Sequence, residues 1–368
     1  VSYCTAYHND LAIPSGGSPS IHPSEPNYVW GEAGSNLGKL DDNDPYGSGG
    51  SVPQIVSYLQ ANRSICAQHL TGLMQAAGIP WKSYQEGIDH QNISGGNANL
   101  GGALTNTLLP QAHWTVPLAS FSGSNAAYTN PYNGSDEWNF ACKHDGSLFF
   151  PDTNGSTPAA AVTGTNNTEV AHYAPLEQLA TDLSNNTVAR YNIITPDEYN
   201  DMHTALPDGF TYKGIHYTGD LAQVAQGDHF LSVIVPQIMA SQAYRNNGCI
   251  VVWTDETEGT NQNDFNHTLT EIIVSPLAKG NGYAGNLNYT HSSDLATMQE
   301  IFHLVANTSP TGYLNDAGNA SNSTGAYANS PGFGTGTAHD LSDLFRPGAI
   351  PSGTVTDIPG NVTTNGQP

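Results

Sequence analysis

Cys249–Pro276, CIVVWTDETEGTNQNDFNHTLTEIIVSP, is the stretch on which the fold is read. Its start, Ile250 to Trp253, is a run of four apolar residues, β-branched or aromatic, that stops at Asp255-Glu256. A polar loop follows, then His267, then a second apolar run from Ile272 to Ser275. Short apolar runs rich in β-branched residues predict strands, and the first suits a strand covered on both faces, as in a parallel sheet. Ligands of such sheets bind beyond the carboxyl ends of the strands. Two carboxylates at that edge, with a His returning to it, are donors for a hard or borderline cation; the alternative is a solvated acidic turn with a surface His.

The chain has 368 residues and a net charge of −23, from 32 acidic and 9 basic side chains. A nucleic-acid footprint is excluded, because no Lys/Arg stripe exists to displace counterions. No apolar run has the length of a membrane span. Few charges with abundant Gly, Asn, Ser, Thr and Tyr resemble an exported protein, extracellular or periplasmic, in which case a processed form is expected. The four cysteines, Cys4, Cys66, Cys142 and Cys249, show no C-x-x-C spacing, so two disulfides in an oxidising compartment are expected, with four free buried thiols as the alternative. Sequons recur, among them Asn62, Asn92, Asn133, Asn154, Asn266, Asn288, Asn307 and Asn361; they bear glycans where the source glycosylates.

Along the chain, Ser2 to Tyr7 is a short strand candidate. A helical pattern runs from Pro53 through Leu73, with Gly78 as its stop. IPWKSYQE (79–86) reads as a strand, Pro175–Leu183 as a helix, and Val188–Ile194 as a strand entering TPDEYNDMH. Residues 229–244 read as a buried helix with Pro236 as a kink or early stop. Leu295, Met298, Phe302 and Val305 fall at helical spacing. Strands alternating with helices imply an α/β fold with a mainly parallel sheet. The expected organisation is one domain over 1–310, with a Gly/Asn-rich excursion at about 88–170, and a Gly/Ser/Asn/Pro-rich tail over 311–368. In that tail DLSDLF (340–345) is the segment expected to dock.

The chemistry-bearing candidates are scattered. In HPSEPNY (22–28), Ser24 lies at or near a helix cap with Pro26 in the first turn, where the positive helix end favours an alkoxide and an incoming phosphate. An ordinary N-cap is the plainer reading. In TPDEYNDMH (195–203), Asp201 and His203 follow a strand, with Asp197 and Glu198 as competitors. His291 precedes the last amphipathic helix, and His144 lies in CKHDG. Taken together, Ser24, Asp201, His203, Asp255, Glu256, His267 and His291 each fall at a strand end or helix start. Two metals could bridge a phosphate there and lower the hydroxyl pKa. No GxSxG elbow suggests a Ser-His-Asp hydrolase.

These motifs resemble those of the secreted phosphoesterases that include acid phosphatase A-like enzymes and bacterial phospholipases C, within the alkaline phosphatase superfamily. HPSEPNY is similar to the family's HPSLPNY, and AGIPWKSYQEG to its helix–strand segment. PLEQLATDL…YNIITPDEYNDMH resembles PLxQLxxDL…FxFITPNxxNDMHD. VVWTDE…NHTLTEIIVSPLAKG resembles VVTWDE…NHIPTIIVGPxVKxG, and THSSDLATMQEIFHL resembles NHYSVLRTIEDMYGL. CKHDGSLFF is a fainter echo of KHNPFxYF.

The resemblance covers roughly residues 20–305. It implies a three-layer α/β/α sandwich and metal-assisted hydrolysis of a phosphate ester. Ser24 would be the nucleophile. Asp201, His203 and His291 would serve one divalent metal, and Asp255 with Glu256 or His267 a second. His22, Asn27 and His144 would contact substrate. Two departures stand out. Family members place a central strand ending in a Glu-Asn or similar metal-binding pair before the HPS motif, and that strand is expected to be missing here. Glu25 replaces an apolar residue; it either repels phosphate or stands in for the absent carboxylate. These departures also leave open a non-catalytic extracellular structural or adhesive protein on the same fold.

Overall fold

The computed structural model describes residues 1–8, 22–45, 65–90, 120–155, 168–257, 268–308, 312–315, 340–351 and 362–363. In chain order the strands and helices begin with β1 (Ser2–Cys4), β2 (Tyr7–His8), α1 (Glu25–Ala33), α2 (Leu70–Ala76) and β3 (Trp81–Gln85). Then come β4 (Phe121–Ser124), β5 (Glu137–Phe140), α3 (Pro151–Asn154), β6 (Tyr173–Pro175), α4 (Gln178–Asn185) and β7 (Tyr191–Thr195). A hairpin, β8 (Phe210–Tyr212) and β9 (Ile215–Tyr217), leads into α5 (Asp220–Met239) and α6 (Gln242–Arg245). The chain continues with β10 (Ile250–Trp253), β11 (Glu271–Val274), β12 (Tyr283–Gly285), β13 (Tyr289–Thr290), α7 (His291–Phe302), β14 (Leu304–Val305) and β15 (Val362–Thr363). The result is a mixed α/β protein in two compact units. One comprises 1–80, 146–153 and 247–368; the other comprises 81–145 and 154–246.

The first unit is built on a four-stranded sheet in the order β10-β11-β1-β12. β10 and β11 pair antiparallel, with Val251 opposite Ile273 and Trp253 opposite Glu271. β1 pairs antiparallel with β11 and parallel with β12. Two expectations change here. Among the described residues Ile250–Trp253 is an edge strand, half-buried along its length, rather than a strand covered on both faces in a parallel sheet. Four apolar residues cannot distinguish the two environments, because both reward the same side chains. Nor is the sheet without a strand from upstream of HPSEPNY: β1 occupies an interior position, and β2 pairs parallel with β13. Three residues carry too little periodicity to reveal such pairing across some 270 positions of sequence.

The core of this unit gathers Cys4, Tyr7, Leu269, Ile273, Tyr289, Leu341, Leu344 and Phe345, so the DLSDLF segment does dock. α1 and α7 pack against each other beside it. Gly146 permits the turn at 146–149 to lie on α1: a Cβ there would stand 2.5 Å from the Tyr28 carbonyl oxygen. No disulfide joins Cys4, Cys66, Cys142 or Cys249, so the two expected disulfides are not formed. No helix among the described residues is long and apolar enough to cross a membrane.

The second unit holds a three-stranded, fully parallel sheet in the order β6-β3-β7. Tyr84 of β3 shares a core with Leu176, Leu179, Leu183, Phe230 and Ile234, so α4 and α5 cover that sheet. α5 begins at Asp220, nine residues before the expected start. It carries Pro236 one turn from its end, where a missing backbone N–H costs little continuity. Pro53 and the first part of its expected helix lie outside the described residues. Of its described part, residues 65–69 are not helical and the helix starts only with α2 at Leu70; it ends where Gly78 adopts φ 68°.

Ile273 has no exposed surface and sits in the interior of the first sheet's core. Ile273→Ala should lower the unfolding free energy by about 2–5 kcal/mol, as read from the urea midpoint.

Candidate active site

α1 forms because Pro26 pre-sets the first turn and Gly34, at φ 70°, closes the last, donating its N–H to the Trp30 carbonyl. Ser24 is its N-cap residue, yet its side chain does not cap the helix. The hydroxyl instead donates to Glu256 Oε1 at 3.1 Å. Asn27, one turn on, donates its amide to Glu256 Oε2 at 3.2 Å. His22 Nδ1 stands 3.0 Å from Glu256 Oε1. Three candidate residues from the start of α1 therefore meet one carboxylate just beyond the end of β10. Ser24 and Asn27 are buried, while the His22 side chain keeps 24% exposure. The site is thus reachable from solvent on the imidazole side.

Asp255 lies beside His291, the first residue of α7. α7 starts there because Thr290 is extended and its N–H is taken by the Ser293 hydroxyl at 3.2 Å. The His291 ring is buried, edge-on to Trp253 at 4.8 Å and to Tyr7 at 5.5 Å. Neither ring nitrogen is within good hydrogen-bond geometry of a partner, although the Asp255 backbone lies close enough to be felt. Burial holds its pKa down at about 3, the Asp255 backbone opposing the shift, so the ring is neutral at any ordinary pH. A neutral, buried imidazole with unused nitrogens is the form in which histidine binds a metal.

Glu25 does not face the Ser24 hydroxyl as a free charge. It is fully buried against the equally buried Lys39 ammonium. Lys39 also donates to the Asn43 carbonyl at 3.1 Å and lies 3.5 Å from Asp41. The backbone N–H of Glu25 donates to Asp42 at 3.0 Å. The segment 39–43 thus braces the first turn of α1. Lys39 has no sequence signal, since nothing local to it betrays a counter-ion fourteen residues away.

The second unit carries the other donors, near the carboxyl end of its parallel sheet. His144 Nδ1 is 3.0 Å from Asp201 Oδ2. Asp201 Oδ1 also accepts the His203 backbone N–H at 2.8 Å. The His203 ring lies 5.8 Å from that of His144, with its side chain 47% exposed. The competing carboxylates have other duties. Asp197 accepts the N–H groups of Asn139, Tyr199 and Asn200, each at 3.1 Å, and closes the turn after β7. Burial and the Asp201 charge hold its pKa up at about 8. Glu198 accepts from the Asn139 amide at 2.8 Å and lies 3.5 Å from Lys143.

Carboxylates and imidazoles are suitable donors for a divalent cation, and the orphaned nitrogens of His291 fit one. Among the described residues, however, no group of three or more His, Cys, Asp or Glu is arranged to hold an ion. His267, the alternative to Glu256 as the partner of Asp255, lies outside the described residues.

Fold and site together define an α/β protein with a hydroxyl, carboxylate and imidazole centre at a helix start. The chain belongs to the Phosphoesterase family, which it matches over residues 17–305. It is also similar to a protein named probable acid phosphatase from Kluyveromyces lactis, at 24% identity over 306 residues. That match covers 82% of this chain and 55% of the relative, so the chain spans about half the length of the curated relative it matches.

Lys39→Met should leave the Glu25 carboxylate buried without a counter-charge and cost about 3–5 kcal/mol of stability in urea unfolding. The double variant Glu25→Leu with Lys39→Met should recover most of that loss, because no buried charge then remains.

Proposed function

We propose that the protein is a secreted, metal-dependent phosphoesterase that hydrolyses phosphate esters through Ser24, on an alkaline-phosphatase-like three-layer sandwich. The observation that carries the reading is the Ser24 hydroxyl, turned away from its own helix and donated to Glu256 Oε1 at 3.1 Å. An ordinary N-cap serine spends its oxygen on a backbone N–H one turn on. Membership of the Phosphoesterase family and the acid phosphatase name of a relative support the same reaction class.

In the proposed reaction Ser24 Oγ attacks phosphorus while its proton passes to the Glu256 carboxylate. The positive end of α1 favours the developing alkoxide and the incoming phosphate. Asn27 fixes the carboxylate by holding its other oxygen. His22, within hydrogen-bonding distance of the same carboxylate and partly exposed, is in place to pass a proton to the leaving oxygen. Water then hydrolyses the phosphoserine. Asp255 with Glu256 or His267, and His291 with Asp201 and His203, are the proposed ligands of up to two divalent ions, His267 serving where Glu256 takes the Ser24 proton. Such ions would supply the positive charge that a chain with 9 basic side chains otherwise lacks. His144, buried at 3.0 Å from Asp201, is proposed to contact the phosphate. Both phosphomonoesters and phosphodiesters are candidate substrates. Export fits the low density of charged side chains.

Ser24→Ala should reduce aryl phosphate or phosphodiester hydrolysis about a thousandfold or more without changing circular dichroism. Dialysis against a chelator should abolish the wild-type rate, and divalent metal should restore it. Equal rates for variant and wild type would remove Ser24 from its role. A folded protein that takes up no metal and hydrolyses neither ester would instead fit the non-catalytic reading.

A further inference from the structure

α1 is held at both ends, and the hold at its far end comes from a cluster outside the site above. Glu32, in the last turn of α1, is buried and accepts three hydrogen bonds at Oε1. These come from His69 Nδ1 at 2.8 Å, from the Thr71 backbone N–H at 2.7 Å and from the Thr71 hydroxyl. The other nitrogen of the same ring, His69 Nε2, lies 2.9 Å from Asp152 Oδ1. His69 has no exposed surface and stacks on Phe150, with ring centroids 3.8 Å apart and planes 9° from parallel.

We propose that His69 is a buried imidazolium and a positioning residue for Ser24, acting through Glu32 on the helix that Ser24 begins. This rests on the reading of Ser24 as nucleophile. The protonation state follows from the contacts. A neutral imidazole carries one N–H, so one of its nitrogens would present a lone pair to a carboxylate. Only the doubly protonated ring donates to both. The groups facing it are Glu32 from α1, Asp152 from α3, the Thr71 hydroxyl of its own helix at 3.3 Å and the apolar face of Phe150. Burial works against the charge, but Asp152 and Glu32 outweigh it and hold the pKa up at about 9. His69 in turn holds the Asp152 carboxyl below its ordinary range despite burial.

The mechanical consequence follows from length. Glu32 stands eight residues from Ser24, so about 12 Å of straight helix joins the clamp to the hydroxyl. While His69 is charged, Glu32 is pinned to α2 and the helix presents Ser24 and Asn27 to Glu256 in one register. When the ring loses its proton, one contact becomes lone pair against lone pair; Glu32 keeps its two Thr71 donors but loses its counter-charge, and the pin loosens. The sign is that of a raised histidine: the clamp is complete below the pKa of an unfolded histidine and fades as pH rises through about 9. Gly72 keeps the pair accessible to a second perturbation. A Cβ there would stand 2.6 Å from His69 Nε2 and 2.8 Å from Asp152 Oδ2, so Gly72→Ala wedges the two apart.

The test uses the full chain, with NMR of ¹⁵N-histidine-labelled protein alongside hydrogen exchange at the Asn27 and Tyr28 amides and the pH profile of kcat. The His69 ring should carry two N–H protons at neutral pH and titrate near 9. Protection of the α1 amides and kcat should fall together over that range, with KM little changed. Asp152→Asn, at a half-exposed side chain, should move all three transitions about 1–3 units toward neutral pH, the effect of removing one nearby opposite charge. Gly72→Ala should act in the same direction. A singly protonated ring at neutral pH would overturn the proposal whatever the activity. So would a variant that moves the ring titration while amide protection stays in place. Loss of protection on schedule in a protein with no esterase activity would leave the clamp standing and remove the reading of Ser24.

Discussion

One carboxylate, that of Glu256, gathers the ends of two elements far apart in sequence. β10 delivers it, and the start of α1 meets it with an imidazole, a hydroxyl and an amide. A buried or half-buried carboxylate is costly unless its oxygens are satisfied, and here both are taken by groups from one short motif. That need ties HPSEPNY to the end of the β10 edge strand. Ser24 itself has helical dihedrals, φ −58° and ψ −46°, so its hydroxyl is not placed to cap the helix and is left for Glu256.

The surroundings serve the same constraint. Lys39 neutralises Glu25 in the turn beside Ser24, so the acidic departure from the family motif is a brace for the helix rather than a second site carboxylate. Trp253 closes one side, edge-on to His291 and tilted on Tyr28. The Trp30 indole N–H donates to Ser292 at 2.8 Å and joins α1 to the first turn of α7. At the far end of α1, Glu32 is locked by Thr71 and His69. A nine-residue helix is marginal on propensity alone, so α1 depends on its buried face and on these contacts to hold its register.

What could be read from the sequence was what is local. The strand–carboxylate–strand order of 249–276, the start of α1 at Ser24, the strand WKSYQ and the helix after Thr290 all rest on signals within a few residues. The meeting of His22, Ser24 and Asn27 with Glu256 could be anticipated only as a set of strand ends and helix starts, together with a family resemblance. Other features rest on long-range pairing that leaves no local trace. β1 inside the sheet, β10 at its edge, Lys39 on Glu25 and His69 between Glu32 and Asp152 are all of this kind. Asp197 shows the converse. It looked like a ligand by composition, but its oxygens close a turn.

The claim that Ser24 is the attacking group is tested most directly by catching the covalent intermediate. Protein mixed with an excess of an aryl phosphate and quenched in acid, then digested and mapped by mass spectrometry, should carry phosphate on the peptide containing Ser24. The adduct should be absent without substrate and absent in Ser24→Ala. Rapid ester hydrolysis with no phosphate on that peptide, or with phosphate on another residue, would contradict the account.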